Sequence, residues 1–303
     1  MEPIMEHDAD HEGEQASRPQ QATPPPLKTP VYQAMHAARY QRQALIRAIQ
    51  KQTGTRLLCY VSVRAPVTRD DTLGIVELLH NVSPDSDIDL LLHTGGGDID
   101  AAEKTMFLLR SAVGEGRLRV IVPDFAKSAG TLMAVAADAI VMSNSSELGP
   151  IDPQIVLRDG RGNAIQHSVA TYLDAFAEHS AALRRDANDP VARAMLNKID
   201  PETVNAYAAV KDRARKLAED HLKQGMKVAN FTEIANALID NKRWLTHGQV
   251  IGYQNAKSIG LTVEYLGPQD TTWRAYWQLY CHQRLAIKDE EKLFESDFAS
   301  LPI

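Results

Sequence analysis

Residues 57–94 read LLCYVSVRAPVTRDDTLGIVELLHNVSPDSDIDLLLHT: an apolar run, a loop, a helix-like stretch and a second apolar run. The runs at 57–63 and 87–94 are short, apolar and bounded by turn residues, which is the pattern of strands buried on both faces. DTLGIVELLHNV (71–82) between them reads as a helix. Strand, helix and strand in this order require a crossover connection, and crossovers join parallel strands with a right-handed turn. The unit then recurs. A helix starts at Asp98, and in it Ile99, Ala102, Met106, Leu109 and Val113 recur at three and four residues, so that one face packs on a core. RLRVIVP (117–123) and AIVMS (139–143) supply further strands. The chain is expected to be an α/β protein with a mainly parallel sheet.

Outward from this block the pattern changes. Residues 1–29 mix acidic residues, Gln, Ser and the run Pro24-Pro25-Pro26, a composition that cannot bury enough apolar surface to offset the entropy of ordering, and are expected to be a disordered tail. Residues 30–54 look helical and carry Arg39, Arg42, Arg47 and Lys51, an arm that could meet a protein partner or simply present a solvated charged face. QIVLRDGRGNAIQ (154–166) reads as a hairpin turning at 159–162. Residues 168–224 read as mostly helical, with breaks near Asp186–Pro190 and at Asp200-Pro201. Helices at 231–240 and 249–258, a strand at 262–266 and an amphipathic helix at 269–286 complete the pattern. The expected divisions are the tail, the arm, a main α/β domain at 55–268 and a helical C-terminal extension at 269–303.

With 303 residues, 44% of them hydrophobic, the chain can bury a large core. A formal charge of −6 offers no global attraction for nucleic acid or anionic lipid. Cys59 and Cys281 lack metal-ligand spacing, so a metal site is not expected and both read as reduced thiols. The N-terminus lacks the basic-then-apolar order of a secretory signal, and no run approaches the roughly 20 apolar residues of a membrane span. The expected location is the cytoplasm.

Two stretches carry chemistry. In HTGGGDIDAAE (93–103) three glycines sit between a buried strand and a helix, where the chain can take unusual backbone angles and a substrate can approach the main chain. A tight structural turn accounts for them equally well. In FAKSAGTLMAVAAD (125–138) Ser128 opens a helix whose faces are all small or apolar, and such a helix must be buried. From the residues alone Ser128 is either an N-cap or a nucleophile set among backbone donors.

T-G-G-G-D at 94–98, S-A-G-T at 128–131, A-A-D-A-I-V-M at 136–142 and L-G-P-I-D-P-Q at 148–154, with W-L-T-H-G-Q-V-I-G-Y-Q-N-A-K-S-I-G-L at 244–261, resemble the serine-dehydrogenase-type proteinases. These are Clp-fold serine peptidases related to signal peptide peptidase and the Clp proteolytic subunit, within the wider crotonase-like superfamily. The resemblance implies a spiral of ββα units with helical additions. It makes Ser128 the nucleophile of an acyl-enzyme, gives the oxyanion hole to the amides of Gly97 and Ala129, and has Gly96 hold the loop. It also implies that 148–154 contacts an extended peptide, that copies of the chain assemble into a homo-oligomer, and that no cofactor is needed.

The general base is the open position. Where the Clp subunit has its histidine this chain has Ile151-Asp152-Pro153, and its aspartate falls on Gly248, so the Ser-His-Asp pattern does not carry over in that order. Signal-peptide-peptidase relatives use a lysine, yet no lysine lies between Lys127 and Lys198. Lys127 adjoins the nucleophile, although successive residues point apart. Lys198 could fold over the site from its helix. His247 belongs to the family's late T-H-G block, and imidazole titrates where a base is needed. His167 ranks behind these, and Asp152 is either an orienting carboxylate or a turn former before Pro153. The resulting expectation is a serine peptidase acting on peptides or unfolded protein. Its alternatives are an inactive scaffold that binds a partner through the tail or arm, and an acyl-CoA enzyme on the same superfamily fold.

Overall fold

The computed structural model describes residues 29–158, 161–288 and 291–303. The expected tail, up to residue 28, lies outside the described residues, as do positions 159–160 of the expected hairpin turn. The chain divides into two compact units, residues 1–37 and 38–303. In the first, the described residues form α1 (Pro30–Met35). Pro30 lies in its first turn, where a missing N–H costs nothing, and Thr29 Oγ1 accepts the Tyr32 N–H at 3.3 Å.

The second unit carries α2 (Ala37–Thr53, from its second residue), β1 (Arg56–Ser62), α3 (Asp71–Leu79), β2 (Ile88–His93), α4 (Ile99–Val113) and β3 (Leu118–Ile121). Next come the two-residue β4 (Phe125–Ala126), α5 (Ala129–Val135), β5 (Ala139–Met142), the two-residue β6 (Glu147–Leu148) and a hairpin of β7 (Gln154–Arg158) and β8 (Ala164–Ser168). The chain continues through α6 (Val169–Arg185), α7 (Pro190–Leu196), α8 (Pro201–Gln224), α9 (Phe231–Ile239), α10 (Tyr253–Ser258) and β9 (Val263–Tyr265). It ends with α11 (Thr271–Arg284), β10 (Lys292–Glu295) and β11 (Ser300–Pro302).

Seven strands form one sheet in the order β11-β10-β1-β2-β3-β5-β9. From β1 to β9 every pairing is parallel, as the strand–helix alternation requires. Side chains of β1 alternate between the two faces. Leu58 and Tyr60 join one apolar cluster with Ile75 of α3, Met106 of α4 and Leu217 of α8. Leu57, Cys59 and Val61 join the other, with Ile46 and Ile49 of α2 and Tyr276 and Leu279 of α11. Burial on both faces explains why these strands read as continuous apolar runs. Burial also pushes the Cys59 thiol well above its ordinary range, and neither cysteine is in a disulfide.

Two expectations need correction. The segment 30–54 is not a projecting arm along its length. In α2, Arg42 donates to both carboxylate oxygens of Glu295 at 3.0 and 2.9 Å, Gln43 donates to the Ser296 and Ala299 carbonyls, and Ile46 and Ile49 are buried. The segment 269–303 is not helical throughout either: after Arg284 it returns as β10 and β11, antiparallel additions beside β1. Lys292 and Glu295 make K-L-F-E look like surface. Both are buried, Lys292 against Asp71 and Glu295 against Arg42, while Leu293 and Phe294 enter opposite clusters. Paired charges can be buried where single ones cannot, and sequence does not display the pairing.

Candidate active site

The parallel strands deliver their C-terminal ends to one edge of the sheet, and the site is assembled there. At the end of β2, Thr94 Oγ1 accepts the Gly96 N–H at 3.1 Å, which curls the glycine loop back on itself. Gly96 has φ 98°. A Cβ on it would lie 2.7 Å from the Lys127 carbonyl oxygen and 2.8 Å from Ser128 Cβ, so the loop can touch the serine turn only as glycine. Gly97 is held from the other side: the Val67 N–H donates to Gly96 O at 2.8 Å and the Asp98 N–H to Val67 O at 2.9 Å. Asp98 then caps α4, accepting from Asp100 and Ala101.

Ser128 stands at the turn from β4 into α5 with φ 52° and ψ −117°, a backbone region that non-glycine residues rarely occupy. An N-cap serine has extended backbone angles and accepts a helix N–H. Ser128 does neither, for its side chain makes no capping hydrogen bond. Strain of this kind persists only where the surroundings impose it. Here the Gly130 N–H closes on Lys127 O at 2.7 Å, and Thr131 Oγ1 lies 2.8 and 2.9 Å from the Ala126 and Gly149 carbonyl oxygens, its one proton serving either, while it accepts the Gly149 N–H at 3.0 Å. All seven residues of α5 are buried. Among the described residues, the N–H groups of Gly97 and Ala129 donate to no backbone acceptor.

Gly95–Gly97 and Ser128 form one wall of a cavity of about 720 Å³, and Ile151, Pro153, Gln154 and His247 contribute the other. Ile99, Phe125, Leu132 and Val210 make much of the remaining lining apolar. Behind His247 lies Asp152, 4% exposed. His247 Nδ1 is 2.7 Å from Asp152 Oδ1. A carboxylate can only accept here, so Nδ1 carries a proton, and in the neutral ring Nε2 keeps its lone pair.

Beneath the glycine loop, the buried His93 places Nδ1 2.7 Å from Ser62 O, while Nε2 faces Asp124 Oδ2 at 3.4 Å, too poorly aligned for a hydrogen bond. Tyr280 donates to the same carboxylate at 2.9 Å. His93 beside it is the main reason that the Asp124 carboxyl is held below its usual range, with Tyr280 adding to the effect. Phe125, which lines the cavity, lies with its ring centroid 4.1 Å from that of His93.

The structure therefore brings Ser128, Gly96, Gly97, Ala129, Asp152 and His247 to one place. The other candidates sit elsewhere. Lys127 Nζ is 2.8 Å from Glu147 Oε2 and donates to Leu148 O at 3.1 Å, and it does not line the cavity. Lys198 is exposed in the connection between α7 and α8, and His167 is exposed on β8 opposite Ile155. The edge of Leu148, expected to receive a peptide, is already paired in both directions with Ile251 at 3.0 Å. The sequence did not single out Val67, His93 or the further partners of Asp152, Gln154 and Ser168. Nothing in a chain's spacing announces a contact of this range. Among the described residues no group of three His, Cys, Asp or Glu gathers as metal ligands, and no helix is long and apolar enough to cross a membrane.

A family model described as ClpP-like SDH-type serine proteinase matches residues 28–283. The chain belongs to this family. An uncharacterised protein of Methanocaldococcus jannaschii is 30% identical over 204 residues, covering 67% of this chain and 63% of the relative. A second uncharacterised protein of that organism is 33% identical over 125 residues, covering 38% and 42%. The chain thus spans less than two thirds of either relative's length. Among solved structures, ClpP1 from Listeria monocytogenes aligns over 74% of this chain and 99% of its own, with 12% identity and a TM-score of 0.39. A mutant of a membrane-bound stomatin-specific protease aligns over 71% and 99%, with 15% identity and a TM-score of 0.31. Membership in the ClpP-like SDH-type proteinases accords with the α/β fold described above.

Proposed function

We propose that this member of the family is an active serine peptidase, with Ser128 as nucleophile, His247 as general base, Asp152 as its orienting carboxylate and the amides of Gly97 and Ala129 as the oxyanion hole. The observation that carries the proposal is the pair His247–Asp152 at 2.7 Å, facing the same cavity as a serine that does not cap its own helix. With Nδ1–H donated to Asp152, Nε2 takes the proton as Ser128 Oγ attacks a peptide carbonyl. The electron pair of the C=O bond moves to oxygen, where the two backbone N–H groups meet it. On collapse the C–N bond breaks and the imidazolium gives its proton to the leaving amine. Water then repeats the sequence on the acyl-enzyme, with Ser128 as leaving group. The apolar lining suits an extended peptide or unfolded protein with an apolar side chain beside the scissile bond.

In the Clp subunit's pattern, histidine precedes aspartate. Here Asp152 stands near the histidine's place and His247 next to the aspartate's, so the two partners exchange sides of the site while the pair is kept. Assembly into a homo-oligomer and a cytoplasmic setting belong to the same reading. A fluorophosphonate probe tests it: covalent labelling at Ser128, absent in Ser128→Ala and strongly slowed in His247→Ala, is the expected result. Labelling that ignores both substitutions would overturn it.

A further inference from the structure

Asp152 has more partners than His247 alone. Gln154 Nε2 donates to Asp152 Oδ2 at 2.5 Å, and Ser168 Oγ lies 3.3 Å from the same oxygen. Gln154 and Ser168 are themselves opposite one another, the pair that closes the root of the β7–β8 hairpin. The hairpin root is tied down again by the Val169 N–H donating to Pro153 O at 3.0 Å, and Ser168 Oγ accepts the Thr171 N–H as the cap of α6. One carboxylate oxygen therefore faces His247 while the other faces two groups from a separate element.

We infer that Gln154, supported by Ser168, is a positioning residue that fixes the Asp152 carboxylate and through it the orientation and tautomer of His247. This rests on the peptidase reading of Ser128 and His247. The physical argument is geometric. A buried carboxylate is costly unless its lone pairs are satisfied, and with a single donor it would rotate about its Cβ–Cγ bond to find others. Donors from Gln154 and Ser168 on Oδ2 leave Oδ1 directed at Nδ1 of His247. Gln154 also lines the cavity, so the amide that holds Asp152 is within reach of bound substrate. Glutamine suits the position because a carboxylate there would repel Asp152, and an apolar side chain would leave Oδ2 with Ser168 alone.

The test uses the full-length protein with Gln154→Ala, Gln154→Glu and Ser168→Ala. Two readouts are needed: kcat and KM on a fluorogenic peptide with an apolar residue before the cleaved bond, and the imidazole NMR signals of His247. Gln154→Ala is expected to lower kcat about 10-fold with KM within about twofold, as loss of one charge-assisted hydrogen bond implies. The downfield Nδ1 proton of His247 should broaden or disappear. Gln154→Glu should lose about 100-fold, and Ser168→Ala less than either, since its contact is longer. Where Gln154→Ala does not fold, Gln154→Met keeps the stem without the donor and takes its place. A rise in KM alone would make Gln154 a substrate contact and overturn the inference. Unchanged kcat together with an unchanged Nδ1 resonance would do the same. Should the wild type neither cleave peptides nor label at Ser128, the peptidase reading fails by itself. The Nδ1 resonance then still decides whether Gln154 holds the pair: its loss in Gln154→Ala supports positioning, its persistence rejects it.

Discussion

The two halves of the site are built in different ways. The nucleophile half is local. Gly95–Gly97 and Ser128–Ala129 lie at the ends of adjacent strands, and each turn is held by its own backbone and by close approach of the other. The base half joins Asp152 to His247 across 95 positions of sequence, through a loop before β7 and another before α10. Close backbone packing leaves little room for variation in the first. The second depends on two side chains and their supports, so chemistry there can be exchanged between positions as long as the pair survives. In the proposed reading, Asp152 and His247 keep an acid–base couple in this way.

Substitutions test this contrast, beginning with the largest effect. Ser128→Ala should reduce peptide cleavage by about 10,000-fold or more, measured as kcat, since it removes the attacking atom. Asp152→Asn should cost about 100- to 10,000-fold, because an amide can donate to Nδ1 and favour the wrong tautomer. Equal, mild losses in Asp152→Asn and Lys198→Ala would dissolve the base half as drawn. Lys198→Ala is expected to stay within about twofold of wild type, like other exposed substitutions.

Gly97→Ala should lower kcat about 100-fold, the order expected when an oxyanion donor is displaced. A Cβ there would come within 2.4 Å of Val67 N, so the loop must move. If activity survives, the loop is a turn and no more. The smallest effect concerns α5, which holds the serine turn. His221 is buried with Nδ1 3.0 Å from Leu132 O, and desolvation depresses its pKa despite that contact. A base depressed in the folded state is protonated first in the unfolded chain, so stability should fall as pH drops below the ordinary histidine value of about 6.5. The thermal midpoint should therefore decline from pH 7.5 to 5.5, and His221→Gln should flatten that slope.

The legibility of the chain follows the same division. The strands at 57–63, 87–94, 117–123 and 139–143 appear within a residue or two of their read positions, because burial on both faces leaves an apolar run that no helix of that length would need. Ser128 and the glycines stand out because small residues were required where backbones touch. The unusual φ of Ser128, in contrast, has no signature in S-A-G-T, and only the tertiary structure shows that its side chain caps nothing. Arg42 misled in the opposite sense: charge marks a surface residue unless its partner is known, and its partner Glu295 lies more than 200 residues away.

Asp152 and His247 were each visible as candidates, one as a turn former or orienter and the other as a base, with Lys127 and Lys198 beside His247 and His167 ranked behind them. Periodicity and composition determined the α/β class and the parallel order of the central strands, since these arise from contacts repeated every two or four residues. Which base meets the cavity, which carboxylate backs it and which charges are buried were decided only by the tertiary structure. A hydrogen bond between side chains is won or lost over about an ångström, and separation along a chain that crosses the sheet edge several times carries no information at that scale.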